Sequence, residues 1–434
     1  MPRLLVLTLA VTLCVAHAAA APTARNVVLI MADDIGLECF GCYGSEQHHT
    51  PRIDRLAETG LRFTNCFSQP LCTPSRVKIM TGQSNARNYV GFGYMDPALE
   101  TFGHRLQAAG RRTLCVGKWQ LHGFNSAPAV RRLGAGLLPE QAGFDDYCLW
   151  QITNRPKRYW NALLETPRGE FVLGPNEYGP DYCARVVCDF IDAHADEPFF
   201  VYYPMMLVHA PFLPTPDSPD RAEQDRQENF KAMVAYMDRL VGRIVDRVEA
   251  SGLREETLVL FTGDNGTNRK IVSRLEGRTI RGGKGLTTSA GVRVPLVASW
   301  PGVAPAGGVT DALVDFSDFS PTLSDLVGAE HPECDGHSFA PLLRGESFDG
   351  RDWVYCYHWP RPTRPDTAPK RFACDARWKL YDDGAFYDTS ADPLEETPLD
   401  PADLPVGASA AYEKLTEALA SMPSEGQRVV RAGE

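Results

Sequence analysis

The chain has no surplus of positive charge. Its 44 lysines and arginines face 55 aspartates and glutamates, a formal net charge of −11. Nucleic-acid binders usually carry a basic excess, so the balance argues against that class. Beyond the N-terminus no apolar run is long enough to span a bilayer, which argues against a membrane protein. No repeat at a solenoid period and no long low-complexity tract is present, so arrays and disordered chains are disfavoured. The pair Cys39-x-x-Cys42 has no second Cys-x-x-Cys to complete a zinc site. Structural thiols or a local disulfide therefore fit it better than a metal or redox centre. Cys183 and Cys188 read the same way.

What is present is ordinary for a globular protein: 44% hydrophobic and 23% charged residues over 434 positions. The N-terminus is the exception. Arg3 precedes the apolar run from Leu4 to Leu13, and small residues follow from Ala16 to Ala21. That order is the signature of a cleavable secretory signal, expected over residues 1–21. Cys14 lacks the small-residue context of a lipid anchor. The mature chain is then exported to a periplasmic or extracellular space, with no membrane attachment after cleavage. Eleven of the twelve cysteines remain, an odd number that leaves at least one thiol unpaired or chemically used.

Apolar runs punctuate residues 22–330. Asn26 to Ala32 is continuous and ends at Asp33-Asp34, as expected for a strand buried on both faces. Thr50-Pro51 reads as the cap and first residue of a helix closed by Gly60. Thr113 to Val116 is a short strand ending near Lys118. Phe199 to Tyr203 is another, followed by a proline-rich loop with His209. A long amphipathic helix fits residues 221–251 and stops at Gly252. Leu258 to Phe261 leads into Gly263-Asp264-Asn265-Gly266, and Val294 to Trp300 follows. Ser320-Pro321 opens a helix that ends at Gly328. Strands alternating with helices predict a large, mostly parallel α/β sheet flanked by helices. Over residues 331–434 the segments Trp353–Tyr357, Trp378–Tyr381 and Ala385–Tyr387 are short, aromatic and turn-bounded. They predict a smaller antiparallel C-terminal α+β subdomain with a last helix near 409–421.

Polar residues recur at the ends of these strands: Asp33 and Asp34, Lys118, His209, Asp264 and Asn265. Open α/β sheets bind ligands at the carboxyl ends of their strands. Three carboxylates and an amide are hard oxygen donors suited to Ca²⁺ or Mg²⁺ rather than zinc. Taken singly, each has a plainer role; Asp264-Asn265-Gly266 alone is a turn sequence.

The sharpest local signal is Cys72-Thr73-Pro74-Ser75-Arg76. Here the chain resembles the type I, formylglycine-dependent sulfatases of arylsulfatase type. In them this cysteine is oxidised to Cα-formylglycine by a formylglycine-generating enzyme during export. The resemblance extends over most of the mature chain in family order. It takes in Asn26 to Asp34, Thr50 to Ala57, Thr81-Gly82, Gly117-Lys118-Trp119, His209 to Phe212 and Gly263 to Gly266. Arg281 to Gly285, Arg293 to Leu296, Trp300-Pro301-Gly302 and Phe386 to Asp388 complete it.

The resemblance implies an alkaline-phosphatase-like fold and a secreted hydrolase of O-sulfate esters, with a sulfated carbohydrate as the expected substrate. It implies that one hydroxyl of the hydrated formylglycine attacks sulfur and the other expels sulfate. A serine at that position would have no such internal exit. By motif match Asp33, Asp34, Asp264 and Asn265 hold the divalent ion, Ca²⁺ ahead of Mg²⁺. Asp264 also accepts a proton from the diol and Arg76 stabilises it. Lys118 and Lys284 neutralise sulfate oxygens, and His209 protonates the leaving oxygen. One position departs from the pattern. The family often has histidine two residues after the lysine, where this chain has Gln120, with His122 beyond it. Gln120 can donate a hydrogen bond but cannot exchange protons near neutrality. His48-His49, before the helix, reads as a capping pair ahead of a substrate contact. Arg155 to Arg158 and Arg361 to Arg371 read as solvated charges, or as the rim of a cleft for a polyanion. Two other readings stay open: a phosphoester hydrolase of the same superfamily, and a non-catalytic binder of sulfated glycans.

Overall fold

A computed structural model describes residues 21–364 and 367–429. Apart from Ala21, the expected leader with Cys14 lies outside the described residues. No helix among them is long and apolar enough to cross a membrane.

Strands β1 (Asn26–Ala32), β2 (Leu61–Phe67), β3 (Arg112–Lys118), β4 (Asp146–Trp150), β5 (Leu163–Thr166), β6 (Gly169–Val172), β7 (Phe199–Pro204) and β8 (Thr257–Gly263) precede a separate hairpin. That hairpin is β9 (Val272–Leu275) with β10 (Arg278–Arg281), and β11 (Arg293–Ser299) and β12 (Gly308–Asp315) follow. The main sheet has ten strands in the order β12-β2-β11-β8-β1-β7-β3-β4-β5-β6. Its centre, β8-β1-β7-β3-β4, is parallel throughout. Antiparallel pairing enters where β11 sits between β2 and β8, and at the β4-β5-β6 edge.

The uninterrupted apolar sequence of β1 follows from this position. Val28, Ile30 and Ala32 pack into one core layer, and Val27, Leu29 and Met31 into the other. Helices Pro51–Glu58, Gly179–Ala193 and Arg226–Ala250 cover the first layer. Helices Cys72–Thr81, Phe102–Ala108 and Phe319–Val327 cover the second.

Two helix starts differ from expectation. The long helix begins at Arg226, not near 221, because the Asp225 carboxylate accepts the N–H groups of Gln227 and Glu228 at 2.7 and 3.0 Å. Pro51 is the first residue of its helix, but the Thr50 side chain does not cap it. Asp238, from the long helix, accepts the N–H groups of Arg52 and Ile53 at 3.0 and 2.8 Å. A tertiary contact thus replaces the local cap. Gly328 closes its helix with φ +69°.

The C-terminal sheet is antiparallel and four-stranded: β13 (Val354–His358), β14 (Lys370–Cys374), β15 (Trp378–Tyr381) and β16 (Phe386–Asp388). Helix Ala408–Ser421 packs on it through Ala411, Leu415 and Ala418. Strand β14 was not anticipated, because Lys370-Arg371 reads as a solvated charge pair. Its Phe372, Ala373 and Cys374 are buried between β13 and β15. No disulfide joins any of the eleven described cysteines. The disulfide considered for Cys39 and Cys42 is therefore not formed; Cys39 Sγ instead lies 3.6 Å from Thr267 Oγ1.

Candidate active site

Strands β1, β3, β7 and β8 run parallel, so their carboxyl ends share one edge of the sheet. β11 runs antiparallel to both β2 and β8, so β2 runs with β8 and also ends at that edge. Asp33-Asp34 follows β1, Cys72 follows β2, Lys118 ends β3, His209 follows β7 and Asp264-Asn265 follows β8. Lys284 lies in the loop that enters β11 from the same side. Segments spread over about 250 positions therefore meet by topology alone.

Cys72 is the first residue of helix Cys72–Thr81 and is 2% exposed. Arg76 stands one helical turn on, so both side chains leave the same face. Ser75 explains its own place in the motif. Its hydroxyl accepts the Gln69 N–H at 3.1 Å and lies within hydrogen-bond distance of the Gln69 and Leu71 carbonyls, fastening the helix start to the preceding loop. Cys72 thus sits where the unsatisfied N–H groups of a helix favour negative charge.

Three carboxylates and four cations, Lys118, Lys284, Arg76 and Arg158, close the site. Lys118 donates to both oxygens of Asp33, at 2.9 and 2.8 Å. Lys284 donates to Asp34 Oδ2, and Arg76 donates to Asp264 Oδ2 at 2.9 Å and to the Lys118 carbonyl at 3.0 Å. Asp33, Asp34 and Asp264 are all fully buried. Burial works against ionising Asp33, but Lys118, His209, Arg76 and Lys284 outweigh it and hold the carboxyl below its usual range. For Asp34 burial is likewise overcome, chiefly by His209 and Lys284. Asp264 goes the other way: burial and the neighbouring Asp33 push it up to about 7 despite Arg76. Crowded acids in a dry pocket are characteristic of functional sites.

The donor set suits a hard divalent cation. Asn265 Oδ1 is buried and has no hydrogen-bond partner, while its Nδ2 donates to Asp34 Oδ1 at 2.9 Å. An orphaned amide oxygen beside three buried carboxylates is what an oxygen-ligated ion would satisfy. Ligand atoms of Asp33, Cys72 and Asp264 lie within 4.8 Å of one another, as do those of Asp33, Asp34 and His209.

His209 Nε2 is 3.6 Å from Asp34 Oδ2, and Nδ1 is 2.6 Å from the Ala210 carbonyl. That carbonyl can only accept, so Nδ1 carries the proton in the neutral ring and Nε2 presents a lone pair to the site. Burial lowers the ring's pKa to about 4 although Asp34 and Asp33 act to raise it. Gln120 is 7% exposed with φ +65°, and its Oε1 has no partner. Its backbone N–H donates to Gln151 O at 3.0 Å, extending the β3–β4 ladder past Lys118. The His122 backbone bridges to Tyr94, and burial holds its ring below the usual histidine range although Glu165 and Glu140 act to raise it.

Arg158 belongs to the cluster and was not singled out. It is 5% exposed, stacks 4.0 Å over the Trp150 ring and lies with Nη1 3.8 Å from Asp33 Oδ2. The run Arg155-Pro156-Lys157-Arg158 reads as solvated charge or as a cleft rim, and nothing local distinguishes its last residue. Only the β4–β5 connection brings it inward.

The Lys284 loop is clamped from the small sheet. Lys379 donates to the Thr287 carbonyl and, at 2.9 Å, to Glu395 Oε1. Glu395 Oε1 also accepts the Ser289 N–H at 2.9 Å, and Tyr381 donates to Oε2 at 2.6 Å. The side chains of Lys379 and Glu395 are each 2% exposed. Glu395→Ala strands a buried ammonium and should cost about 3–5 kcal/mol. Turnover should fall with stability as Lys284 loses its support. Thermal unfolding and steady-state rates check this together; an unchanged melting temperature would refute it.

Residues 25–329 match the family profile described as Sulfatase, and residues 284–419 match that of the N-sulphoglucosamine sulphohydrolase C-terminal region. Human arylsulfatase A is 34% identical over 433 residues, covering 90% of this chain and 81% of its own. The crystal structure of Ps i-CgsB superposes with a TM-score of 0.75 at 22% identity, over 95% of each chain. BT4656, solved with its substrate D-glucosamine-2-N,6-O-disulfate, gives 0.73 at 20% identity over 92% of this chain and 97% of its own. At such identity the two structures speak for the fold alone.

Proposed function

The chain belongs to the sulfatase family, whose members are sulfuric ester hydrolases, and from that premise we propose that it is an exported sulfatase cleaving O-sulfate esters of a carbohydrate. The observation that supports this most is the meeting of Cys72 with Asp33 and Asp264, ligand atoms within 4.8 Å, inside a ring of Arg76, Lys118 and Lys284. Four cations, Arg76, Lys118, Lys284 and Arg158, against three carboxylates of which Asp264 is raised to about 7 already lean positive, and a divalent ion would tip the balance further toward an anionic substrate.

Asp33, Asp34, Asp264 and Asn265 would hold that ion, Ca²⁺ ahead of Mg²⁺. When bound it would polarise a sulfate oxygen and offset the charge that builds there. Converted to Cα-formylglycine by a formylglycine-generating enzyme and hydrated, residue 72 would supply one hydroxyl to attack sulfur and a second to expel sulfate. Asp264 takes the proton of the attacking hydroxyl, and Arg76, already on Asp264 Oδ2, steadies both. With their carboxylates engaged elsewhere, the Lys118 and Lys284 ammonium groups turn to the sulfate oxygens. His209 gives its Nε2 proton to the leaving oxygen. Because Nδ1 is committed to the Ala210 carbonyl, that step requires the imidazolium, a form the arriving anion favours. Gln120 offers an amide, not a proton, to the same space. Residues 22–330 carry this machinery, and the subdomain over 331–434 shapes what lies beyond the sulfate.

The test is the mass of the tryptic peptide Phe63–Arg76 from protein matured in its native host or beside a formylglycine-generating enzyme. An aldehyde in place of the Cys72 thiol is expected. An intact thiol under those conditions would overturn the mechanism. Rates on the sulfate and phosphate esters of one alcohol then separate this reading from a phosphoester hydrolase; sulfate should be faster by at least ~10²-fold.

A further inference from the structure

The wall beyond Lys284 carries a local charge opposite to that of the chain. Gly285, Leu286 and Thr287 continue from Lys284 as one side of a cavity of about 460 Å³. Across it lie Trp359, Arg361 and Arg364 from the turn after β13, and Lys370 at the start of β14. The cavity's acids are largely spoken for. Glu395 is held by Lys379 and Tyr381, Asp382 by Arg371, and Asp383 accepts the Ala385 N–H. Among the described residues no carboxylate pairs with Arg361, Arg364 or Lys370, on a chain whose net charge is −11.

Two further observations point to a ligand. His358 lines the cavity, is 7% exposed, and has a buried Nδ1 without a hydrogen-bond partner. Trp359 is half-buried, with its indole N–H fixed on Thr367 Oγ1 at 3.0 Å, which leaves a ring suited to stacking on a sugar. The cavity also adjoins the nucleophile. The Gly285 N–H donates to Pro70 O at 2.8 Å, two residues before Cys72. Tyr89 donates to Pro360 O at 2.9 Å, tying the turn after β13 to the segment that follows helix Cys72–Thr81.

We propose that this cavity is an anionic subsite that receives a second negative substituent, sulfate or carboxylate, of the saccharide whose scissile ester lies at Cys72. The proposal rests on the sulfatase reading and narrows it. A substrate with a neutral remainder would leave Arg361, Arg364 and Lys370 without a carboxylate among the described residues, whereas a polyanion would recruit all three. Arg361, 5.4 Å over the Phe92 ring, carries a planar guanidinium suited to a two-pronged contact.

Calorimetric titration of the matured full chain tests this without needing turnover. The probes are tetrasaccharides of carrageenan (sulfate only), hyaluronan (carboxylate only), heparin (both) and neutral agarose. At least one anionic probe should bind about tenfold or more tightly than agarose, and the preference should fade at high salt. Arg361→Gln with Arg364→Gln should erase most of that preference, and Arg361→Lys with Arg364→Lys should keep part of it. Which probe wins separates sulfate from carboxylate. Equal binding of charged and neutral probes would overturn the proposal, as would a folded double glutamine variant that keeps the preference. If that variant does not fold, Lys370→Gln and the salt dependence of the unaltered protein decide instead: a preference indifferent to both overturns it. Failure of the sulfatase reading would show separately, as an intact Cys72 thiol in the matured protein.

Discussion

Replacing Cys72 by alanine is expected to lower kcat on an aryl sulfate by ~10⁴-fold or more, the scale on which losing a covalent nucleophile acts. The fold should survive. Among the described residues Cys72 makes no side-chain hydrogen bond, and it is one small group at a helix start, so the stability change should stay within about 1 kcal/mol. Cys72→Ser is the more telling variant. A serine that stays unmodified can attack sulfur once, but it has no second hydroxyl to expel the product. The expected result is a single turnover and a protein heavier by one SO₃ on residue 72. Intact-protein mass before and after substrate, beside a burst assay, would show it. Undiminished multiple turnover by Cys72→Ala would end the case for this nucleophile.

Removing divalent metal should produce the second large effect, on both rate and stability. Asp33, Asp34 and Asp264 are fully buried together, and the buried Asn265 Oδ1 has no partner. Chelation should cost roughly 10³-fold in rate, several kcal/mol of lost charge stabilisation. At a hundredfold excess over Kd, Ca²⁺ should contribute about 2.7 kcal/mol, or about 3 °C in Tm for a chain of this length. The metal-free protein has its own pH signature. Asp264 is raised from 3.8 to about 7, first by burial and then by Asp33. A group raised on folding stabilises fully below its unfolded pKa, and that contribution is lost as pH rises through the folded value. Asp264 therefore works against the metal-free fold as pH climbs from about 4 to about 7. Metal binding also competes with protons for the same oxygens. The Ca²⁺-induced rise in Tm should thus be larger near pH 8 than near pH 5. A Tm indifferent to chelator at both pH values would remove the metal site from the account.

Much of the site was legible because its residues occupy short motifs at strand ends. The β1 sequence is apolar through both faces and stops at Asp33-Asp34, which marks a buried strand and its carboxyl end together. Cys72 and Arg76 are separated by one helical turn, a spacing that places both on one face once a helix forms. The misses have a common cause. Arg158 and strand β14 are written in charged residues that locally describe a solvated surface, and only their neighbours bury them. The N-cap of helix Pro51–Glu58 comes from Asp238, more than 180 positions away, so no local pattern could reveal it.

By itself the sequence determined the alternation of buried strands and helices, the hard-oxygen character of the donors and the presence of a nucleophile motif. These are properties of residue type and spacing over a few positions, where local sterics and periodicity govern. Tertiary structure alone decided which charges are dry. Lys118 lies on Asp33, Lys284 on Asp34 and Arg76 on Asp264, while Arg361, Arg364 and Lys370 line an open cavity beside them. Charge in a protein takes its strength from its surroundings, and the surroundings of a side chain are assembled from segments that the linear order keeps apart.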